Sequence, residues 1–320
     1  MSALIPRDER EIRTFEAIDE QAKEFIAHSK ASNTVKSYRK DWAHFVAWCA
    51  DHGAMALPAT AMTVARYLTD IQGAYKVSTL QRRIAAINAA HRSARHDVFS
   101  TRLEPLHSIW QGIVRTKGTA QTKKAPALTD DIRAMLDTLD DRLISIRDRA
   151  LLLVGFAGAF RRSELVALNV QDVEFSARGL LVTLRRSKTD QTGEGQVIGI
   201  PYGSVQETCP VRALQAWLEA SNHTEGAIFR SIDRHGNIKE RIPDRAVALI
   251  VKRCAAAAGL DADHFAGHSL RAGLATSAAL AGESLTDVMR QTRHKSERVA
   301  AGYIRVADAF RNNVAAKVGL

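Results

Sequence analysis

Between residues 115 and 131 the chain reads RTKGTAQTKKAPALTDD. The stretch is polar and basic, has no apolar periodicity before Leu128, and holds Pro126, which keeps the residue before it out of helical geometry. Such a segment has little apolar surface to bury, so the parts on either side must each build a core. At 320 residues the chain is long enough for two. We expect a basic linker over 115–127, a helical domain over 25–114 behind a short segment and first helix over 1–24, and a second domain over 128–320. Thr129, with Asp130 and Asp131 behind it, predicts the start of a new helix.

Charge follows the same division. Residues 25–124 carry 15 Lys and Arg against five Asp and Glu, whereas 125–320 carry 26 against 23. A basic domain beside a near-neutral one is the electrostatic footprint expected of a polyanion-binding protein, although solubility alone would also account for it. The segment SNTVKSYRKDWAHFVAWCADHG opens on capping residues and closes on Gly53, with Val35, Trp42, Phe45, Val46 and Trp48 close to a helical stripe. In VSTLQRRIAAINAAHRSARH, Leu80, Ile84, Ile87 and His91 share a face, Arg82 lies opposite, and Arg83 and Arg92 flank the stripe. These helices suit packing on one side and phosphates on the other; an ordinary solvated face is the plain alternative. The candidate DNA contacts are Lys36, Arg39, Lys40, Arg82, Arg83, Arg92, Lys123 and Lys124.

The second part is mixed. Helical patterns in RDRALLLVGFAGAF and SELVALNV precede three short strand patterns, VEF, LLVTLRR and QVIGIP. The polar turn SKTDQTGEG joins the last two, which predicts a small antiparallel sheet. From Pro210 onward the pattern is helical again. The fold class is therefore mainly α with a small antiparallel sheet, a helical domain followed by a mixed α+β domain. No run of 18 apolar residues predicts a membrane span, and the charged start MSALIPRDEREIRTF lacks the apolar core of a signal peptide. Three scattered cysteines, Cys49, Cys209 and Cys254, fit a reducing cytoplasm and make no zinc-binding pattern. No carboxylate cluster suggests paired Mg²⁺, so neither a metal nor a cofactor is expected.

Four short motifs hold residues that could do chemistry, and each taken alone also has an ordinary reading. In GAFRRSELVAL, Arg161 and Glu164 can pair at a helix start. Lys188 sits in the hairpin turn, where lysines are commonly just solvated. In GHSLRAG, His268 and Arg271 share one side of a helix start. In RQTRHKSERVAAGY, His294 lies between two helices and Tyr303 two turns into the second.

The ordered set Arg161-x-Ser-Glu, Lys188, His268-x-x-Arg271, His294 and Tyr303 resembles the tyrosine recombinase (phage integrase) family. KSYRKDWAHFVAWC and VSTLQRRIAAINAAHRSA resemble the core-binding domain of its simple, Cre-like members. The resemblance implies that Tyr303 attacks a scissile phosphate to give a 3′-phosphotyrosyl link. Arg161, Arg271 and His294 would hold the non-bridging oxygens, Lys188 would protonate the leaving 5′-oxygen, His268 would handle the tyrosine proton, and Glu164 would orient its neighbours. It implies double-stranded DNA with short inverted-repeat half-sites as partner, a dimer on each site and a tetramer in the synapse. It also implies a cytoplasmic, nucleoid-associated location and a C-terminal helix within 306–320 that docks on a neighbouring protomer. In this family glycine usually precedes the third histidine or tryptophan. Here Arg293 holds that place, and a left-handed backbone there would cost about 1 kcal/mol or more. The alternatives are a type IB topoisomerase-like or hairpin-forming enzyme, and a non-catalytic DNA-binding relative.

Overall fold

The computed structural model describes residues 32–119, 124–185, 195–294 and 296–307. It divides into two compact units between Gln121 and Thr122. In the first unit, helices α1 (Ser32–Asp51), α2 (Ala61–Ile71), α3 (Val77–Ser93) and α4 (Leu106–Lys117) enclose a small core. Phe45 and Cys49 of α1 meet Tyr67 and Leu68 of α2 and Leu80, Ile84 and Ile87 of α3 there. The stripe expected on α3 is the one observed, His91 included: its Nε2 accepts from the Ala59 amide at 3.0 Å. On α1 the inward residues are Phe45 and Cys49, and Val46 is 39% exposed, because positions four apart share a face and neighbours do not.

Helix α4 runs through Lys117, so the start of the expected linker is helical. The end of that linker is not loose either. The Ala125 amide donates to the His264 carbonyl at 2.8 Å and the Ala127 amide to that of Ser269 at 3.0 Å. Ala127 is fully buried. These are backbone contacts with residues far along the chain, which local polarity cannot reveal.

The second unit begins its helices at Thr129, as the capping pattern predicts: α5 (Thr129–Asp137), α6 (Leu143–Ala157) and α7 (Arg162–Ala167). Strands β1 (Val173–Ser176), β2 (Gly179–Leu184) and β3 (Gln196–Pro201) pair antiparallel in sequence order. Val182 lies opposite Ile198 and Leu180 opposite Ile200. Their buried side chains alternate with exposed Leu181 and Val197, the period expected of a half-buried sheet. Helices α8 (Pro210–Ser221), α9 (Asp244–Ala257), α10 (Ser269–Ala281), α11 (Leu285–Thr292) and α12 (Glu297–Ala307) follow. Between α8 and α9 the chain makes a hairpin, β4 (Arg230–Ile232) and β5 (Ile238–Arg241), where a helical pattern was expected. Its turn is closed by Asp233, whose carboxylate accepts from the amides of His235 and Asn237, and by Gly236 at φ +86°.

The center of this unit is α6, where Leu151, Leu152, Leu153 and Val154 are all buried. It packs against both α8 and α10. Gly273 of α10 lies under the Ala127 carbonyl, which an added Cβ would meet at 1.8 Å. The docked segment 124–127 thus helps fix the helix that carries Arg271.

Candidate active site

The site forms where three corners of the second unit meet. The first is the α6–α7 corner. After Gly158 the chain passes through Ala159 at φ +45°, buried Phe160, and Arg161, which caps α7. Glu164, 3% exposed, closes the cap. One carboxylate oxygen accepts from the Arg161 amide at 3.0 Å and the other from Arg161 Nη1 at 2.5 Å. A buried carboxylate thereby aligns the arginine beside it.

The second corner is the start of α10. His268 precedes the helix, and Arg271 one turn on is 1% exposed. Arg271 Nη1 donates to the Ala159 carbonyl at 2.7 Å, while the buried Nη2 has no hydrogen-bond partner among the described residues. A buried guanidinium nitrogen without an acceptor is costly and rare. Burial and the cations of Arg161 and Arg293 bring the Arg271 pKa down to about 10, so it stays charged at neutral pH.

The third corner joins α11 to α12. Arg293 ends α11 at φ +57° and ψ +43°, the left-handed conformation usually given to glycine. Beyond it, His294 Nδ1 lies 2.7 Å from Thr292 Oγ1, and the Thr292 hydroxyl donates to the Val288 carbonyl at 2.6 Å. With its only proton committed, the hydroxyl accepts from Nδ1–H, so in neutral His294 the free lone pair is on Nε2. Burial, then the charges of Arg271, Arg161, His268 and Arg293, push the His294 pKa down to about 4. Tyr303 of α12 lies against it, ring centroids 5.8 Å apart, and Tyr303 Oη is 3.4 Å from His268 Nε2. Burial raises the tyrosine pKa, and Arg271 works against that rise. The structure therefore brings Arg161, Glu164, His268, Arg271, His294 and Tyr303 together from segments far apart in the chain. Lys188 lies outside the described residues. Among the described residues, no three His, Cys, Asp or Glu side chains converge as a metal site.

The family profile of the phage integrases matches residues 128–309, and that of the phage integrase N-terminal SAM-like domain matches residues 23–97. The chain belongs to the phage integrase family. An integrase/recombinase described as an xerD homolog from Selenomonas ruminantium is 41% identical over 309 residues, covering 94% of this chain and 90% of that protein. The tyrosine recombinase XerC of Corynebacterium efficiens is 28% identical over 95% of this chain and 93% of its own. Among solved structures, the Tn1549 transposon integrase in complex with transposon right-end DNA superposes with a TM-score of 0.60 at 13% identity, covering 91% of this chain and 97% of that one. A λ integrase dimer bound to a core site gives 0.56 at 15%, covering 91% and 95%. At these identities the structural likeness speaks for the fold.

In this family member the candidate DNA contacts divide. Lys36, Arg39, Lys40 and Arg92 are exposed. Arg82 is half-exposed and tied to Asp41 at 2.7 Å. Arg83 corrects the sequence reading, since it is 5% exposed and turned inward. Its Nη1 donates to Tyr67 Oη, its guanidinium lies 4.0 Å from the Tyr75 ring center, and Asp41 is 3.8 Å away. Position 83 is one turn from both Leu80 and Ile87, on the packed face, and the ring, hydroxyl and carboxylate offset the burial of its charge. Lys124 is exposed but held to the Asp263 carbonyl at 2.5 Å, and Lys123 lies outside the described residues. Arg293 stood out in the sequence only as a departure from glycine; its contacts make it part of this site.

Proposed function

We propose that this chain is a site-specific DNA recombinase that cuts and rejoins DNA through a covalent 3′-phosphotyrosyl intermediate on Tyr303. The observation that carries this is the convergence of Arg161, Arg271 and His294 beside Tyr303, with Arg271 Nη2 buried and lacking an acceptor among the described residues. A phosphoryl oxygen supplies that acceptor. Arg161, held by Glu164, provides the second fork for the developing charge. In the reaction, the Tyr303 oxygen attacks phosphorus, the bond to the 5′-oxygen breaks, and that oxygen takes up a proton. Arg271 favours the phenolate, and His268, whose Nε2 is 3.4 Å from the phenolic oxygen, is the proposed acceptor of its proton. Lys188 is the proposed donor to the 5′-oxygen. The phosphate charge opposes the arginine cations around His294, so the imidazole gains a proton on Nε2 as DNA binds and then donates to a non-bridging oxygen. The covalent bond conserves the energy of the phosphodiester, and rejoining needs no nucleotide.

The partner is double-stranded DNA with short inverted-repeat half-sites, occupied by one protomer each and synapsed as a tetramer, in the cytoplasm with the nucleoid. The segment 25–114 is the core-binding domain, 128–320 the catalytic domain, and the tail within 306–320 docks on the neighbouring protomer. That tail lies almost wholly outside the described residues.

The test uses a duplex recovered from random DNA by binding selection and nicked to trap the intermediate. Wild-type protein is expected to form a denaturation-resistant adduct and to exchange strands between two duplexes, and Tyr303→Phe to bind without forming the adduct. An adduct on the Phe variant would overturn the nucleophile assignment, and relaxation without exchange would move the chain to the topoisomerase-like reading.

A further inference from the structure

Helix α6 ends with carbonyls that no helical amide can reach, as every helix does. Here side chains from α11 cover them. Gln291 Nε2 donates to the Ala157 carbonyl at 2.9 Å, and Arg293 Nη1 donates to the Gly158 carbonyl at 2.8 Å and to that of Gln291 at 3.0 Å. Arg293 Nη2 donates to the Ala159 carbonyl at 2.9 Å and to Glu164 Oε2 at 3.2 Å. Two of these acceptors are shared. The Ala159 carbonyl also holds Arg271, and Glu164 also holds Arg161. One guanidinium, 6% exposed and seated 5.3 Å from the Phe160 ring center, thus contacts the anchors of both arginines and stands next to His294 in the chain.

The backbone tells the same story. Arg293 at φ +57° occupies a conformation that glycine adopts without a Cβ clash, and Ala159 at φ +45° is a second left-handed non-glycine residue in direct contact with it. Strained positions of this kind persist where surrounding contacts over-determine them, and they gather at functional sites. A glycine at 293 would relieve its own strain and give up every one of the guanidinium contacts.

We propose that Arg293 is a positioning residue for strand cleavage: it locks the anchors of Arg161 and Arg271 to the loop that carries His294, so the phosphate-binding groups keep one geometry. It touches no substrate atom in this assignment, and the inference rests on the recombinase reading above. Its charge also faces the site. Arg271, Arg161 and His268 act on His294 in the same sense, and Tyr303 lies against the ring.

The experiment measures single-turnover cleavage of the same selected, nicked duplex at saturating protein, together with duplex affinity and melting temperature. Arg293→Gly keeps the left-handed corner without strain. Its cleavage rate is expected to fall about 100-fold, the scale of an ångström-sized misplacement of reacting groups, while affinity for the duplex is retained. Arg293→Lys keeps the charge on a single donor nitrogen but loses the fork, and is expected to lie between the two; it carries the test if the glycine variant does not fold. A wild-type cleavage rate in either variant would overturn the proposal. So would a rate that falls only in step with affinity or melting temperature, which would make Arg293 part of the scaffold alone. If the wild-type protein itself forms no adduct, the recombinase reading fails first and takes this inference with it; an adduct with unaffected variants removes the inference and leaves the reading standing.

Discussion

Replacing Glu164 by glutamine is expected to damage the second unit and its chemistry together. The carboxylate is buried and, among the described residues, accepts three hydrogen bonds: from Arg161 Nη1 on one oxygen, and from the Arg161 amide and Arg293 Nη2 on the other. A glutamine oxygen can serve the second group of donors, but its NH2 then faces Arg161 Nη1 donor to donor. The variant loses one charge-assisted bond and leaves two guanidiniums without their counter-charge. A net loss of about 2–4 kcal/mol follows from the usual worth of such bonds and the cost of an unpaired buried charge. For a unit of this size that lowers the melting temperature by roughly 6–12 °C. Arg161, no longer aligned, is expected to leave its proposed phosphate-binding position, and cleavage to slow by about 10²–10³, as when one preorganised donor to a developing charge is removed. Thermal melting of the protein alone and single-turnover cleavage at saturating protein measure the two effects separately. If Glu164→Gln melts within about 2 °C of wild type and cleaves within about threefold of it, the network does not position Arg161.

His294 has a folded-state pKa of about 4, below the ordinary value near 6.5, so between these the unfolded chain binds the proton that the folded chain refuses. Stability is expected to fall as pH is lowered through this window, and His294→Gln to flatten the fall in a melting-temperature series across it. In DNA binding, Arg39→Ala or Lys40→Ala is expected to reduce the slope of log affinity against log salt by about 0.9 per lost phosphate contact, whereas Arg83→Met leaves the slope unchanged and lowers the melting temperature; a reduced slope for Arg83→Met would return that residue to the DNA surface. Cleavage is expected to persist in excess EDTA, because the proposed mechanism assigns stabilisation of the phosphoryl charge to arginines and an imidazole. A divalent-ion requirement, met only by adding the ion back, would show that the cationic set is insufficient.

What could be read along the chain was local. The α3 stripe of Leu80, Ile84, Ile87 and His91, the helix start at Thr129, and the three-stranded sheet each follow from spacings of a few residues, because helix periods, caps and turns are properties of consecutive side chains. The β4–β5 hairpin, although local, was hidden in a stretch read as helical, and its signal was the turn DRHGN. The candidate site was legible as an ordered set of motifs whose convergence the sequence implied only through resemblance. Burial of Arg83 depends on Asp41, Tyr67 and Tyr75, which other parts of the first unit bring to it. The reach of Arg293 depends on carbonyls at Gly158 and Ala159 that only the packing of the α6 corner against the end of α11 places beneath it. A charged side chain reads the same in sequence whether it faces water or a buried acceptor. Its partner comes from a distant segment, and the tertiary structure alone decides which.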